Sequence, residues 1–137
     1  MLRDVIGLYY FDGNYNCAEA LLHAANEYYQ LGLGEREMKL VSGYGAGIQT
    51  ESVCGALLAA VSVLSLKYVE TKAHESEEIK PLTQELIRRF EEELAHSILC
   101  ERIRPVYFQP EKRCFRTVEA ACDVLEAVIR DRESGDC

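Results

Sequence analysis

The chain has 137 residues, 48% of them hydrophobic, and its 15 Lys and Arg against 23 Asp and Glu give a formal net charge of -8. That length and apolar content suit one domain around a single core. The acidity argues against nucleic acid or an anionic membrane surface as a partner, since both require a basic face.

The chain opens MLRDVIGLYYFDGN, with an acid at position 4 and no apolar run of secretory length. Arg3 to Phe11 reads as a first helix, ended by Asp12-Gly13. Asn16 is a candidate N-cap for a second, with Glu19 at the third helical position in a variant of the capping box. Ala18, Leu21, Leu22, Ala25 and Tyr29 give that helix an apolar face, and Leu31-Gly32-Leu33-Gly34 closes it. Glu35 to Ser42 reads as a further helix, ended by the glycines of SGYGAGIQ (42–49).

Ser52 or Thr50 then caps a segment, running to about Tyr68, that is apolar all round and should be a buried central helix. Its uncharged stretch, Val53 to Leu66, falls short of the roughly 20 residues of a membrane span. No membrane insertion is expected, and the expected location is cytoplasmic. Glu70 to Glu78 is polar and reads as a loop. Pro81 fits the first turn of a long helix through about Leu99, with Leu82, Leu86, Phe90 and Leu94 as its buried face. Glu101 to Gln109 contains Pro105 and reads as a loop. Pro110 can start a last helix, Glu111 to about Arg132, with Cys114, Phe115, Val118, Ala121, Cys122, Leu125 and Ile129 on its apolar side. No repeat or linker interrupts the chain. The expected fold is all-α, a compact bundle of five or six helices around a buried central helix (about 52–68). One helical domain covers 1–132, and a polar tail covers 133–137.

Six cysteines stand at 17, 54, 100, 114, 122 and 137. No pair has the CxxC spacing of zinc ribbons or thioredoxin-like motifs. Any shared thiol site must therefore assemble from distant parts of the chain. Cys17 and Cys54 fall at two expected helix starts, where free N–H groups and the positive dipole end favour a thiolate. Cys100 and Cys114 bracket the Pro-containing loop, next to Arg102, Arg104, Lys112 and Arg113. Positive charge there lowers a thiol pKa and stabilises a thiolate, a persulfide or an anionic cluster, whereas an ordinary solvated basic loop would carry the same residues. Cys122 lies about 12 Å along the helix from Cys114 and reads as a core residue. Cys137 ends the tail and has no assigned role.

NCAEALL around Cys17, the glycine-rich run with CGALLA at Cys54, FEEELAHSILC at Cys100 and KRCFRTVEAACDVLEAVI around Cys114 together resemble the redox-active protein family known by its C_GCAxxG_C_C pattern. The resemblance covers nearly the whole chain. It implies that Cys17, Cys54, Cys100 and Cys114 are the four characteristic cysteines, with a redox or metal role. Two departures stand out. Ala59 occupies the place of the last glycine in CGAxxG, and Tyr44 and Ala46 interrupt Gly43, Gly45 and Gly47.

Four thiols converging from helix ends could hold an iron–sulfur cluster or another thiolate-bound metal, with Gly43, Gly45, Gly47 and Gly55 letting backbone N–H groups approach the sulfurs. A disulfide pair without metal, or buried structural cysteines in a helical interaction protein, are the competing expectations. Glu93-x-x-His96 has di-iron spacing but only one copy; His96 also lies four residues before Cys100 and could support it. His23 is placed to pair with Glu19, and His74 has no role. No phosphate-binding loop or Ser/His/Asp triad is recognisable. An unidentified redox partner is implied, and the eight tyrosines suggest a homodimer.

Overall fold

A computed structural model describes residues 1–135 of the chain. Asn16 starts the first long helix as its sequence suggests. The Glu19 N–H donates to Asn16 Oδ1 at 2.9 Å and the Asn16 N–H to Glu19 Oε1 at 3.1 Å, a closed capping box. Seven α-helices form among the described residues: α1 (Arg3–Gly7), α2 (Cys17–Tyr29), α3 (Glu35–Met38), α4 (Gly55–Tyr68), α5 (Ile79–Glu93), α6 (Cys100–Tyr107) and α7 (Phe115–Ser134). The expectation of five or six is thus corrected. Short 3-10 or π turns extend α1 through Asp12 and α3 through Tyr44.

The central helix is α4, which packs against α2, α5 and α7. Leu57, Ala59, Ala60, Val63 and Leu64 are buried, while its outer side (Leu58, Val61, Ser65) is only half-covered and Leu66 is exposed. Leu82, Leu86, Phe90 and Leu94 are all buried, as their spacing requires. So are Val118, Ala121, Cys122, Leu125 and Ile129 of α7. No described helix is long and apolar enough to cross a membrane.

Four boundaries differ from expectation. Helix α5 stops at Glu93 rather than near Leu99, because Ala95 and His96 adopt left-handed φ values of 53° and 51° and turn the chain. The expected loop 101–109 is mostly helix α6. Pro105 sits inside it, and a proline's missing N–H need not end a helix that has only two further residues to run. Pro110 belongs to a tight turn in which Gln109 and Arg113 exchange backbone hydrogen bonds, so α7 begins at Phe115 instead of Glu111. At its other end α7 reaches Ser134, two residues into the expected tail, and Cys137 lies outside the described residues.

The cap of α4 also differs: it is Cys54, not Ser52 or Thr50. The cause is a short antiparallel pairing. The Cys54 N–H donates to the Ile98 carbonyl at 2.8 Å and the Cys100 N–H to the Ser52 carbonyl at 2.7 Å. This bridge fixes the starts of α4 and α6 side by side.

Candidate thiol site

Each of the four cysteines singled out by the sequence opens a helix. Cys17 is the first residue of α2 and Cys100 the first of α6, while Cys54 and Cys114 are the N-cap residues of α4 and α7. All four line one cavity of about 30 Å³, together with Ala46, Gly47, Gly55, Ile103, Arg104 and Thr117. That volume holds about one or two water molecules. Four helix N-termini, each with a partial positive charge, thus face one small space. Cys54 and Cys100 are buried, Cys17 and Cys114 half-buried, and the described cysteines are all free thiols.

Two opposing effects set the state of these thiols. Burial pushes every one of them up, Cys54 to about 12, and the neighbouring sulfurs add to this at Cys54, Cys100 and Cys114. Backbone N–H groups act the other way: those of Ala46, Ala18 and Ala56 on Cys17, and those of Leu57 and Ala56 on Cys54. Arg104 lowers Cys100 and Cys114, and Arg113 lowers Cys114. At neutral pH the buried group is a set of protonated thiols inside a field that favours their anions. A thiophilic cation that displaces the protons leaves thiolates, which gain from that field.

Glycine has a steric role at three of the four expected positions, and at two of them the close contact is to a cysteine. A Cβ on Gly47 would meet Cys100 Cβ at 2.7 Å and Ser52 N at 2.6 Å, and its φ of +62° disfavours any side chain. A Cβ on Gly55 would stand 2.9 Å from Cys17 Sγ and overlap the Tyr44 carbonyl oxygen. Gly45 packs instead against the Asn16 side chain, supporting the α2 cap, and Gly43 faces open space. Around Gly47 the loop is strained: Ala46, Ile48, Gln49 and Glu51 all have φ between 50° and 60°, and Ile48 is β-branched. The Gly47 carbonyl anchors this loop, accepting from Ser52 N at 2.9 Å and Thr50 Oγ1 at 3.2 Å.

Residues 15–128 match the family model described as "Putative redox-active protein (C_GCAxxG_C_C)". The chain belongs to that family. No curated protein and no solved structure matches it. Within the family pattern, the CGAxxG segment is Cys54 to Ala59 here, and its last position is a fully buried alanine of α4.

The donor set is four thiols, the chemistry of a tetrathiolate centre. Among the described residues, however, no group of three or more His, Cys, Asp or Glu side chains stands close enough to hold a metal ion. Cys122 is fully buried in the core, away from this cavity. His96 is exposed in the turn after α5, so neither the Glu93-x-x-His96 spacing nor its i+4 relation to Cys100 exists on a helix. His23 stacks on Tyr15 at 4.1 Å and on Tyr9 at 5.2 Å.

Sequence reasoning passed over three contributors. Ile103 and Thr117 stand three residues after Cys100 and Cys114, so helical spacing alone puts each on its cysteine's face. Tyr10 gave no signal. Its buried hydroxyl accepts the Cys114 N–H at 2.9 Å, across 104 residues of sequence. The Arg113 guanidinium lies over the same ring, 4.8 Å from its centre.

Proposed function

We propose that Cys17, Cys54, Cys100 and Cys114 form a single redox-active site that holds an iron–sulfur cluster or another thiolate-bound metal. The observation that carries this reading is the meeting of four helix N-termini, each headed by one of these cysteines, at one cavity. A bound metal would supply reversible one-electron chemistry or a structural thiolate centre. The protein's own contribution is electrostatic. Helix ends, N–H groups near Cys17 and Cys54, and Arg104 offset the negative charge of several thiolates in a buried space. Because the sulfurs are not at ligand spacing, loading would draw them inward around the ion. A cavity of about 30 Å³ suits one ion more closely than a cluster.

Anaerobic reconstitution followed by iron and sulfide analysis tests the cluster form. Retained iron and sulfide that are lost in each single Cys→Ser variant support it. Colourless protein without iron eliminates it. A second reading, metal-free thiol–disulfide chemistry by two of the four thiols, is favoured by the absence of a preformed ligand group among the described residues. Free-thiol counts before and after mild oxidation address it: loss of two thiols from these positions supports exchange, and loss of none excludes it.

A further inference from the structure

Residues 100–116 invert the charge of the protein. In a chain of net charge -8 they carry Arg102, Arg104, Lys112, Arg113 and Arg116 against Glu101 and Glu111, all exposed. This is α6 and the turn leading into α7, the segment bounded by Cys100 and Cys114. Arg104 lines the thiol cavity itself. Three of the guanidinium groups rest on aromatic rings: Arg104 on Phe108 at 4.8 Å, Arg113 on Tyr10 at 4.8 Å and Arg116 on Tyr107 at 5.5 Å. Arg104 pairs with Glu51 at 3.7 Å, whereas Arg102 and Lys112 have no ion-pair partner among the described residues. Beside them, Val106 is 61% and Phe108 36% exposed. Arginine and aromatic side chains with exposed hydrocarbon make up the composition of protein-binding patches rather than of an ordinary solvated loop. A basic patch on an acidic molecule attracts negative partners to that place alone.

We propose that this rim is a docking surface for an acidic protein segment, and that it selects such segments for exchange with the cysteine site. The proposal rests on the reading of the four cysteines as redox-active thiols. In the exchange, a site thiolate attacks one sulfur of a disulfide on the docked segment. That S–S bond breaks, a mixed disulfide forms, and the displaced thiolate takes up a proton. A second site thiolate then displaces the segment, leaving a disulfide on the protein. The segment's disulfide gains the two electrons that the site dithiol loses.

The test uses the reduced full-length chain carrying Cys137→Ser, and three synthetic peptides with one cysteine activated as a 2-pyridyl disulfide. The flanking residues are Glu, Gln or Lys. Attack releases pyridine-2-thione, whose absorbance gives the rate. The Glu peptide is expected to react about tenfold faster than the Gln peptide at low ionic strength, and the Lys peptide more slowly than either. In high salt the three rates should converge. The double variant Arg102→Glu/Lys112→Glu, both positions outside the cavity lining, should reverse the order of the Glu and Lys peptides when each rate is taken relative to the Gln peptide. Equal rates for all three at low salt, or a preference for Lys, overturn the proposal. If no peptide reacts with the folded chain although all four thiols react after unfolding, the thiol-site reading falls and takes the proposal with it.

Discussion

Gly55 stands against Cys17 so closely that a Cβ added to it would lie 2.9 Å from the sulfur, with the Tyr44 carbonyl oxygen closer still. The start of α4 is therefore fitted to the start of α2 with no room for a methyl group. Gly55→Ala should cost about 1–3 kcal/mol by overpacking, measured by urea unfolding, and should change the alkylation rate of Cys17. Gly43→Ala is the control. Its Cβ would meet nothing within 4 Å, and stability should stay within about 0.5 kcal/mol of wild type.

Ala59 lies fully buried one turn beyond Gly55 on α4. Restoring the family's glycine with Ala59→Gly should lower stability by about 1 kcal/mol or more, through helix propensity and the lost methyl, without changing the reactivity of the four thiols. A large gain in thiol reactivity would show that the alanine restrains the site.

The Tyr10 hydroxyl is the acceptor for the Cys114 N–H at the start of α7. Tyr10→Phe leaves that N–H without its partner in a part-buried setting and should cost about 1 kcal/mol. Alkylation followed by mass spectrometry should show Cys114 reacting faster, with Cys122 unchanged. Equal rates at Cys114 would show that the hydrogen bond has no part in holding the thiol.

Far from the thiols, Arg88 and Arg89 hold Glu85 down at about 2, from an ordinary value of 4.5, through hydrogen bonds of 2.6 to 3.1 Å. Arg89 also reaches Asp131 of α7 at 2.7 Å. A carboxyl lowered on folding stabilises the fold above its unfolded pKa, and that contribution disappears as pH falls from about 4.5 to about 2. Glu85→Gln should flatten this part of the acid limb in a plot of unfolding free energy against pH. The effect should be small, since the carboxylate is partly exposed.

Helix periodicity made most of the fold legible. The i+4 series Leu82, Leu86, Phe90, Leu94 and the Asn16–Glu19 box needed only local rules, and the structure places them as those rules require. The errors cluster where tertiary contacts overrule local preference. The pairing of 52–54 with 98–100 moves the α4 cap onto Cys54, and the turn through left-handed Ala95 and His96 that precedes it ends α5 early. Pro105 is a strong breaker in isolation, yet α6 carries it near its end. For the site, sequence order and motif single out four cysteines, and the structure sets those four around one cavity. The sequence does not show that all four begin helices, because local signals start α4 and α7 too early and read α6 as a loop. Tyr10 was invisible, since only folding brings α1's extension to α7.

Cobalt(II) titration of the reduced chain under anaerobic conditions tests most directly whether the four sulfurs act as one site. One ion should bind per chain, with intense sulfur-to-cobalt charge-transfer absorption. Affinity should fall at least tenfold in each of Cys17→Ser, Cys54→Ser, Cys100→Ser and Cys114→Ser, and stay unchanged in Cys122→Ser. No thiolate–cobalt absorption, or an effect of Cys122→Ser equal to the other four, would contradict a single site.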